Sequence, residues 1–185
     1  MSKIKEQMLD SNATYSEEFG SKAHLPARPL QKVAILTCMD ARLDPEGFTG
    51  LNPGDAHIIR NAGGRASDDA IRSLIISHTL LGTNQWYIVH HTDCGMETVT
   101  NEIMSNLLSD NLDKKDADND EGMKGGHGKD SDQGLSIDWL TISDRKKSIL
   151  EDVRMIREHP LVSDAVSVYG FLYDVHTGKL EEVTG

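Results

Sequence analysis

The sequence is poor in cysteine and in basic residues, and it contains no long apolar run. Its 185 residues include two cysteines, and 19 Lys and Arg stand against 30 Asp and Glu, a formal net charge of -11. Binding a nucleic-acid backbone needs clustered basic side chains, so this balance argues against a nucleic-acid partner. No apolar run approaches the roughly 20 residues that span a bilayer. Residues 1–20 also lack the apolar stretch of a secretory signal, so we expect a cytoplasmic protein with no membrane partner.

The two cysteines, Cys38 and Cys94, lie far apart in the sequence. In a reducing compartment such cysteines indicate buried packing, metal binding or catalysis rather than a disulfide. Packing is the alternative for each cysteine taken singly, because free cysteines are among the most buried residue types. The chain has no Cys-x-x-Cys motif, which argues against a thiol redox protein.

Apolar runs that alternate with amphipathic segments predict an α/β fold with a mostly parallel central sheet flanked by helices. The segments KVAILTC, DAHIIRNAGG, QWYIVHH and AVSVYGFLYDV read as strands, and LEEV as an antiparallel return strand after a tight turn. Helices are predicted in SDDAIRSLIISHTLLG, with Ser67 as N-cap, in TDCGMETVTNEIMSNLL and in DRKKSILEDVRMIREHP.

The length suits one buried core, and we divide the chain accordingly. Residues 1–31 form a predicted N-terminal arm with a helix, and residues 32–185 form a single α/β domain. Within this domain, residues 109–134 are rich in Asp, Lys and Gly and nearly free of apolar side chains, which predicts a flexible polar insertion.

Cys38 and Cys94 stand at, or just past, the carboxyl ends of predicted buried strands, and His91 precedes Cys94 by three residues. Neighbouring parallel strands would bring these ends together. Two thiolates and an imidazole form a three-ligand zinc set that leaves one tetrahedral position open for water. His90 is the competing histidine, but strand alternation directs it to the opposite face, so we expect it in the core. A turn at Asn61, Gly63 and Gly64 is a weaker candidate for contact with substrate through its backbone N–H groups.

The combination of CMDAR with HTDCG resembles the β-class carbonic anhydrases, including the closely related carbonyl sulfide hydrolases. RNAGG, DDAIRSL and GFLYDVHTGKLEEV are also similar to this family, so the resemblance covers residues 30–185 and departs from it at the polar insertion. It implies Zn²⁺ held by Cys38, His91 and Cys94, with a zinc-bound hydroxide that attacks carbon dioxide to give bicarbonate. It further implies that Asp40 and Arg42 are catalytic. Arg42 holds Asp40, which orients the hydroxide and becomes a fourth ligand in a closed state.

The sequence leaves open the substrate, the choice between catalysis and zinc binding alone, and the number of subunits. The same zinc site serves carbonyl sulfide or carbon disulfide hydrolysis in relatives, since these substrates are also small, linear and electrophilic at carbon. A non-catalytic zinc-binding module is a further alternative, although an intact Asp40 and Arg42 pair argues against it. The resemblance also implies a homodimer, or a tetramer built as a dimer of dimers, with the N-terminal arm laid over the neighbouring subunit.

Overall fold

The structure, a computed structural model, describes residues 2–113 and 137–185. It confirms the predicted α/β fold: five strands form one sheet in the order β2-β1-β3-β4-β5. The first four strands are parallel, and β5 returns antiparallel to β4. The strands are β1 Val33–Cys38, β2 Ala56–Asn61, β3 Gln85–His91, β4 Ser167–Tyr173 and β5 Leu180–Val183.

Five α-helices and three 3-10 turns complete the described elements: α1 Lys3–Glu17, α2 Pro45–Thr49, α3 Asp68–Thr79, α4 Asn101–Asp113 and α5 Arg145–Arg157, with the turns at Gly20–His24, Ala62–Gly64 and Gly95–Glu97. Ser67 caps α3 as predicted, since its side chain accepts a hydrogen bond from the backbone of Ala70. The sequence reading missed α2, which Asp44 caps in the same way and Pro45 opens. The helix predicted after β3 is divided between the 3-10 turn at Gly95–Glu97 and α4.

The main core lies between one face of the sheet and helices α3 and α5. Its largest side chains are Leu36, Leu74, Trp86, Ile88, Ile149 and Ile156. The opposite face carries Ile35, Val89 and Phe171 and is covered in part by Phe48 of α2. An apolar groove of about 500 Å³ remains on this second face.

The N-terminal arm is helical, as predicted, but α1 buries none of its residues against the rest of the chain. Its apolar side chains Ile4, Met8, Leu9 and Tyr15 are exposed. The predicted flexible insertion begins inside α4, which continues to Asp113, and the remainder of that insertion lies outside the described residues. Within the described ranges, no helix is long and apolar enough to cross a membrane.

Candidate metal centre at the strand ends

The adjacent parallel strands β1 and β3 bring the three predicted metal ligands together. Thr37 pairs with Val89 in the sheet, so the chain reaches Cys38 and His91 at the same edge. Cys94 follows one turn later, after Asp93 adopts a left-handed backbone with φ of 57°. The ligand atoms of Cys38, His91 and Cys94 all lie within 4.8 Å of one another, and all three residues are buried. Their common position explains why two cysteines 56 residues apart form one cluster.

Strand alternation separates the two histidines of β3, as expected from the sequence. His90 faces α5, where its Nε2 donates a hydrogen bond of 3.0 Å to Asp152. His91 faces the cysteines, and its Nδ1 donates a hydrogen bond of 2.9 Å to the carbonyl oxygen of Thr92. A carbonyl can only accept, so Nδ1 carries the proton and Nε2 carries the lone pair.

The free lone pair of His91 is the observation that tests whether these residues fit a metal. Nε2 is buried and has no hydrogen-bond partner among the described residues. A buried polar atom without a partner costs free energy unless something binds it. The thiols of Cys38 and Cys94 both lie within 4.8 Å of the ligand atom of His91. Two thiolates and one neutral imidazole are ligands that zinc prefers, so the residues fit this ion.

The two thiols share their protons unequally. The neighbouring Cys94 thiol, which stabilises the Cys38 thiolate, is the main cause that lowers the pKa of Cys38 below its ordinary value. The same contact, together with burial, raises the pKa of Cys94 above its ordinary value. Burial acts to lower the pKa of His91, but the neighbouring Cys38 thiolate outweighs it and raises that pKa. The lowered pKa favours the thiolate form of Cys38, which is the form that binds a metal ion.

Arg42 holds Asp40 at the rim of the cluster. Its Nε and one terminal nitrogen donate bonds of 2.9 and 2.8 Å to the two carboxylate oxygens, and its backbone N–H donates a third bond of 2.9 Å. These bonds keep the pKa of Asp40 well below its ordinary value. The second carboxylate oxygen lies 3.9 Å from Nε2 of His91. Asp40 is thus an ionised acceptor beside the free ring nitrogen of His91.

Arg42 also contacts a residue that sequence reasoning missed. Its guanidinium donates 2.7 Å and 2.8 Å bonds to the side chain and to the backbone carbonyl of Asp93. Arg60 donates to the carbonyl oxygens of Cys38 and Asp40 at 3.0 and 2.6 Å. Two arginines therefore fix the backbone on both sides of the cluster. In the sequence, only the position of Asp93 between His91 and Cys94 indicates that it accepts hydrogen bonds at this site.

The Asn61–Gly64 turn lies directly behind Cys38. Gly63 and Gly64 both have positive φ, and the Asn61 side chain closes the turn by accepting from the Arg65 N–H and donating to the Arg65 carbonyl. A Cβ added to Gly64 would lie 2.9 Å from the backbone nitrogen of Cys38. The turn therefore supports the first cysteine by close backbone packing, which only glycine allows.

Apolar side chains surround the two thiols. Leu43 and Ile142 are buried with Cys38 and Cys94, and further apolar residues pack against them: Phe48, Met96, Tyr173 and Val175. These side chains form an apolar wall beside the two buried thiols. Ile142 lies just beyond the residues that the structure leaves undescribed, and no motif marked it in the sequence.

Comparisons with known proteins show the family of the chain. A family model described as carbonic anhydrase matches residues 33–180, which include all five site residues predicted from the sequence. Beta-carbonic anhydrase 1 of Mycobacterium tuberculosis is 39% identical over 183 residues, covering 98% of each chain. The chain belongs to the β-carbonic anhydrase family.

The chain is also similar to two further proteins. The crystal structure of the carbonic anhydrase from Streptococcus mutans matches with a TM-score of 0.84 and 38% identity, over 100% of this chain and 99% of that one. A carbon disulfide hydrolase from Acidianus sp. is 31% identical over 183 residues, and the match covers 95% of this chain and 89% of the hydrolase. The chain is therefore similar to enzymes that are named for different substrates.

Proposed function

We propose that the protein is a zinc-dependent carbonic anhydrase that interconverts carbon dioxide and bicarbonate. The observation that supports this best is the buried Nε2 of His91, which has no hydrogen-bond partner in the described part of the chain and lies within 4.8 Å of the two thiols and 3.9 Å from the clamped carboxylate of Asp40. A site that only stored zinc would have no need of an ionised acceptor held in place beside the metal. The arrangement therefore favours catalysis over a non-catalytic zinc-binding module.

Cys38, His91 and Cys94 would hold the zinc ion and leave one position for water or substrate. When bound, zinc supplies the Lewis acidity that makes water a nucleophile at neutral pH. The two thiolates would reduce the effective charge of a bound metal ion, so the side chains beside the site, above all Asp40, would matter more than they would beside three neutral imidazoles.

Asp40 supplies an acceptor that orients the attacking oxygen toward the carbon of the substrate. As an ionised carboxylate it cannot donate, so it selects a nucleophile that points one O–H toward it. Arg42 keeps Asp40 ionised and fixes its direction through three hydrogen bonds. To become a fourth ligand in a closed state, Asp40 would have to give up most of these bonds. Arg42 thus favours the open site.

The second candidate is hydrolysis of carbonyl sulfide or carbon disulfide. A relative named carbon disulfide hydrolase is 31% identical to this chain, and the match covers 89% of that relative. This similarity supports the second candidate. All three substrates are small, linear and electrophilic at carbon, so the same donor set could serve each of them. Discrimination then depends on the apolar wall, where a change of one methyl group is worth only about 1–3 kcal/mol.

The test compares turnover of carbon dioxide, carbonyl sulfide and carbon disulfide by one zinc-loaded preparation. Cys94→Ala removes a proposed metal ligand, Asp40→Asn removes the ionised acceptor, and Asp69→Asn is a matched control on the exposed start of α3. We expect fast carbon dioxide hydration that both site variants abolish and the control retains. Efficient sulfide release with poor hydration would support the second candidate, and bound zinc without turnover of any substrate would refute both.

We also propose that the chain forms a homodimer, alone or as half of a dimer of dimers. Helix α1 exposes Ile4, Met8 and Leu9, and the sheet face with Phe171 retains an apolar groove. A second copy of the chain would cover both surfaces. Light scattering at micromolar concentration tests this proposal: a dimeric mass that removal of residues 1–24 weakens supports it, and a monomeric mass for the full chain refutes it.

A further inference from the structure

The segment from Leu140 to Ile142 forms one wall of the candidate centre. Ile142 is only 3% exposed and is buried together with Cys38 and Cys94. Its backbone N–H donates a hydrogen bond of 2.9 Å to the carbonyl of Met96, two residues beyond Cys94. A Cβ on Gly63 would lie 3.4 Å from the Cδ1 atom of Ile142, so this side chain reaches across the cluster to the turn behind Cys38.

This wall depends on a strained backbone. Leu140 has φ of 52°, in the left-handed region that a leucine side chain disfavours. Strain of this kind persists only where the surroundings hold it. Arg65 does so from inside the protein: one terminal nitrogen donates to the carbonyl of Leu140 at 2.8 Å and to that of Thr141 at 3.1 Å.

Arg65 is itself held rigidly. Its Nε and other terminal nitrogen donate to the two carboxylate oxygens of Asp152 at 2.8 and 3.1 Å. Asp152 is 1% exposed and also accepts from His90, the neighbour of the proposed ligand His91. The Arg65 backbone closes the turn behind Cys38 through Asn61. The guanidinium of Arg65 thus joins α5 to the Leu140–Ile142 wall, its backbone bonds the glycine turn, and Asp152 extends the connection to His90 of β3.

We propose that Arg65 is a positioning residue of the enzyme: it holds Leu140 in its left-handed conformation so that Ile142 closes the wall against the two metal-binding thiols. An ion pair that only fastened α5 to the sheet would need the two nitrogens that face Asp152. The third nitrogen bonds two consecutive carbonyls of the wall, and this extra contact carries the proposal. The role in turnover rests on the proposed function, whereas the role in holding the wall does not.

The first test is Arg65→Lys, with Arg72→Lys on the exposed face of α3 as the matched control. A lysine keeps a positive charge opposite Asp152, but its single ammonium cannot replace the fork that reaches the carbonyls. In the zinc-loaded protein we expect amide hydrogen exchange of residues 140–142 to rise about tenfold, with α5 unchanged. We expect kcat/KM for carbon dioxide to fall by about tenfold or more with zinc content retained.

The decisive readout is rescue by removal of the strain. Glycine adopts the left-handed conformation without a Cβ penalty. Leu140→Gly in the Arg65→Lys background should therefore recover most of the lost exchange protection and most of the lost kcat/KM. Unchanged amide exchange of residues 140–142 in Arg65→Lys would overturn the proposal. A loss of exchange protection and of kcat/KM that Leu140→Gly does not reverse would also overturn it.

A second variant keeps the proposal testable if Arg65→Lys does not fold. Leu140→Val leaves the Arg65–Asp152 pair intact but puts a β-branched residue at positive φ, which is more costly than leucine. It should loosen residues 140–142 as Arg65→Lys does, and an unchanged exchange rate would overturn the proposal. If the unaltered protein hydrates no carbon dioxide, the proposed function fails, while the exchange experiments still decide the role of Arg65.

Discussion

Gly64→Ala tests how rigidly the turn behind Cys38 supports the metal centre. Gly64 has φ of 68°, and an added Cβ would meet the backbone of Thr37 and Cys38 at 2.9 Å. Gly82 at the end of α3 offers a matched control, because its φ is 78° and a Cβ there would meet nothing within 4 Å. Both substitutions place alanine in the left-handed region, and only Gly64→Ala also forces two backbone segments apart.

The expected magnitudes follow from these two terms. The left-handed conformation costs an alanine about 1–2 kcal/mol at either site. Overpacking adds about 1–3 kcal/mol at Gly64, because the neighbouring atoms are backbone and cannot rotate away. The free energy of unfolding should therefore fall by about 2–5 kcal/mol for Gly64→Ala and by about 1–2 kcal/mol for Gly82→Ala. For a chain of this size each kcal/mol lowers the melting temperature by about 2–4 °C.

Urea unfolding of the zinc-loaded variants measures this difference, and competition with a chromogenic chelator measures zinc affinity. Because the forced displacement acts on Cys38, we expect Gly64→Ala to weaken zinc binding about tenfold or more and Gly82→Ala to leave it unchanged. Equal destabilisation by the two variants, or wild-type zinc affinity for Gly64→Ala, would refute the close support of Cys38 by this turn.

Three further predictions concern charge and metal. Burial alone would raise the pKa of Asp152, but His90 and Arg65 hold it below its ordinary value. The ionised carboxylate of Asp152 therefore stabilises the fold above the unfolded pKa of about 3.9, and this contribution is lost as pH falls through the lower folded pKa. Urea unfolding should show that Asp152→Asn lowers the free energy of unfolding most at pH 7 and less near pH 3. Arg42→Ala frees Asp40 and should lower stopped-flow carbon dioxide hydration about a hundredfold, and undiminished turnover would contradict the clamp. Removal of zinc by a chelator should lower the melting temperature in a zinc-dependent and reversible way, and no shift would contradict a metal site that binds only the folded chain.

The sequence predicted most of the fold because its strands and helices carry strong local patterns. The buried strand β1 and the capped helix α3 follow from apolar runs and from Ser67, which depend on neighbouring residues only. Helix α2 was missed because five residues are too few to show a helical period. The end of α4 was missed because its last turn lies in a stretch whose composition predicts a flexible segment.

For the site, the sequence predicted which three side chains lie together, but not the hydrogen bonds and packing contacts that position them. Cys38, His91 and Cys94 could be brought together because parallel strands end at a common edge, a rule that needs no side-chain detail. The pair Arg65 and Asp152 could not be found in this way, because the two residues lie 87 positions apart on elements whose relative rotation only the packed structure defines. Strained residues leave still less signal in a single sequence.

Arg42 and Arg65 support the centre by the same physical means. Each donates a 2.8 Å hydrogen bond to the carbonyl of a non-glycine residue at positive φ, Asp93 in one case and Leu140 in the other. Arg42 therefore has two separable effects, since it clamps Asp40 and also holds the backbone that presents Cys94. Arg42→Ala should therefore also weaken zinc binding. Asp93→Gly in the Arg42→Ala background should restore the zinc affinity, because glycine adopts this left-handed conformation without a supporting hydrogen bond. Hydration should stay low, because the clamp on Asp40 is still missing. Recovery of both properties together would mean that Arg42 acts only through the backbone of Asp93.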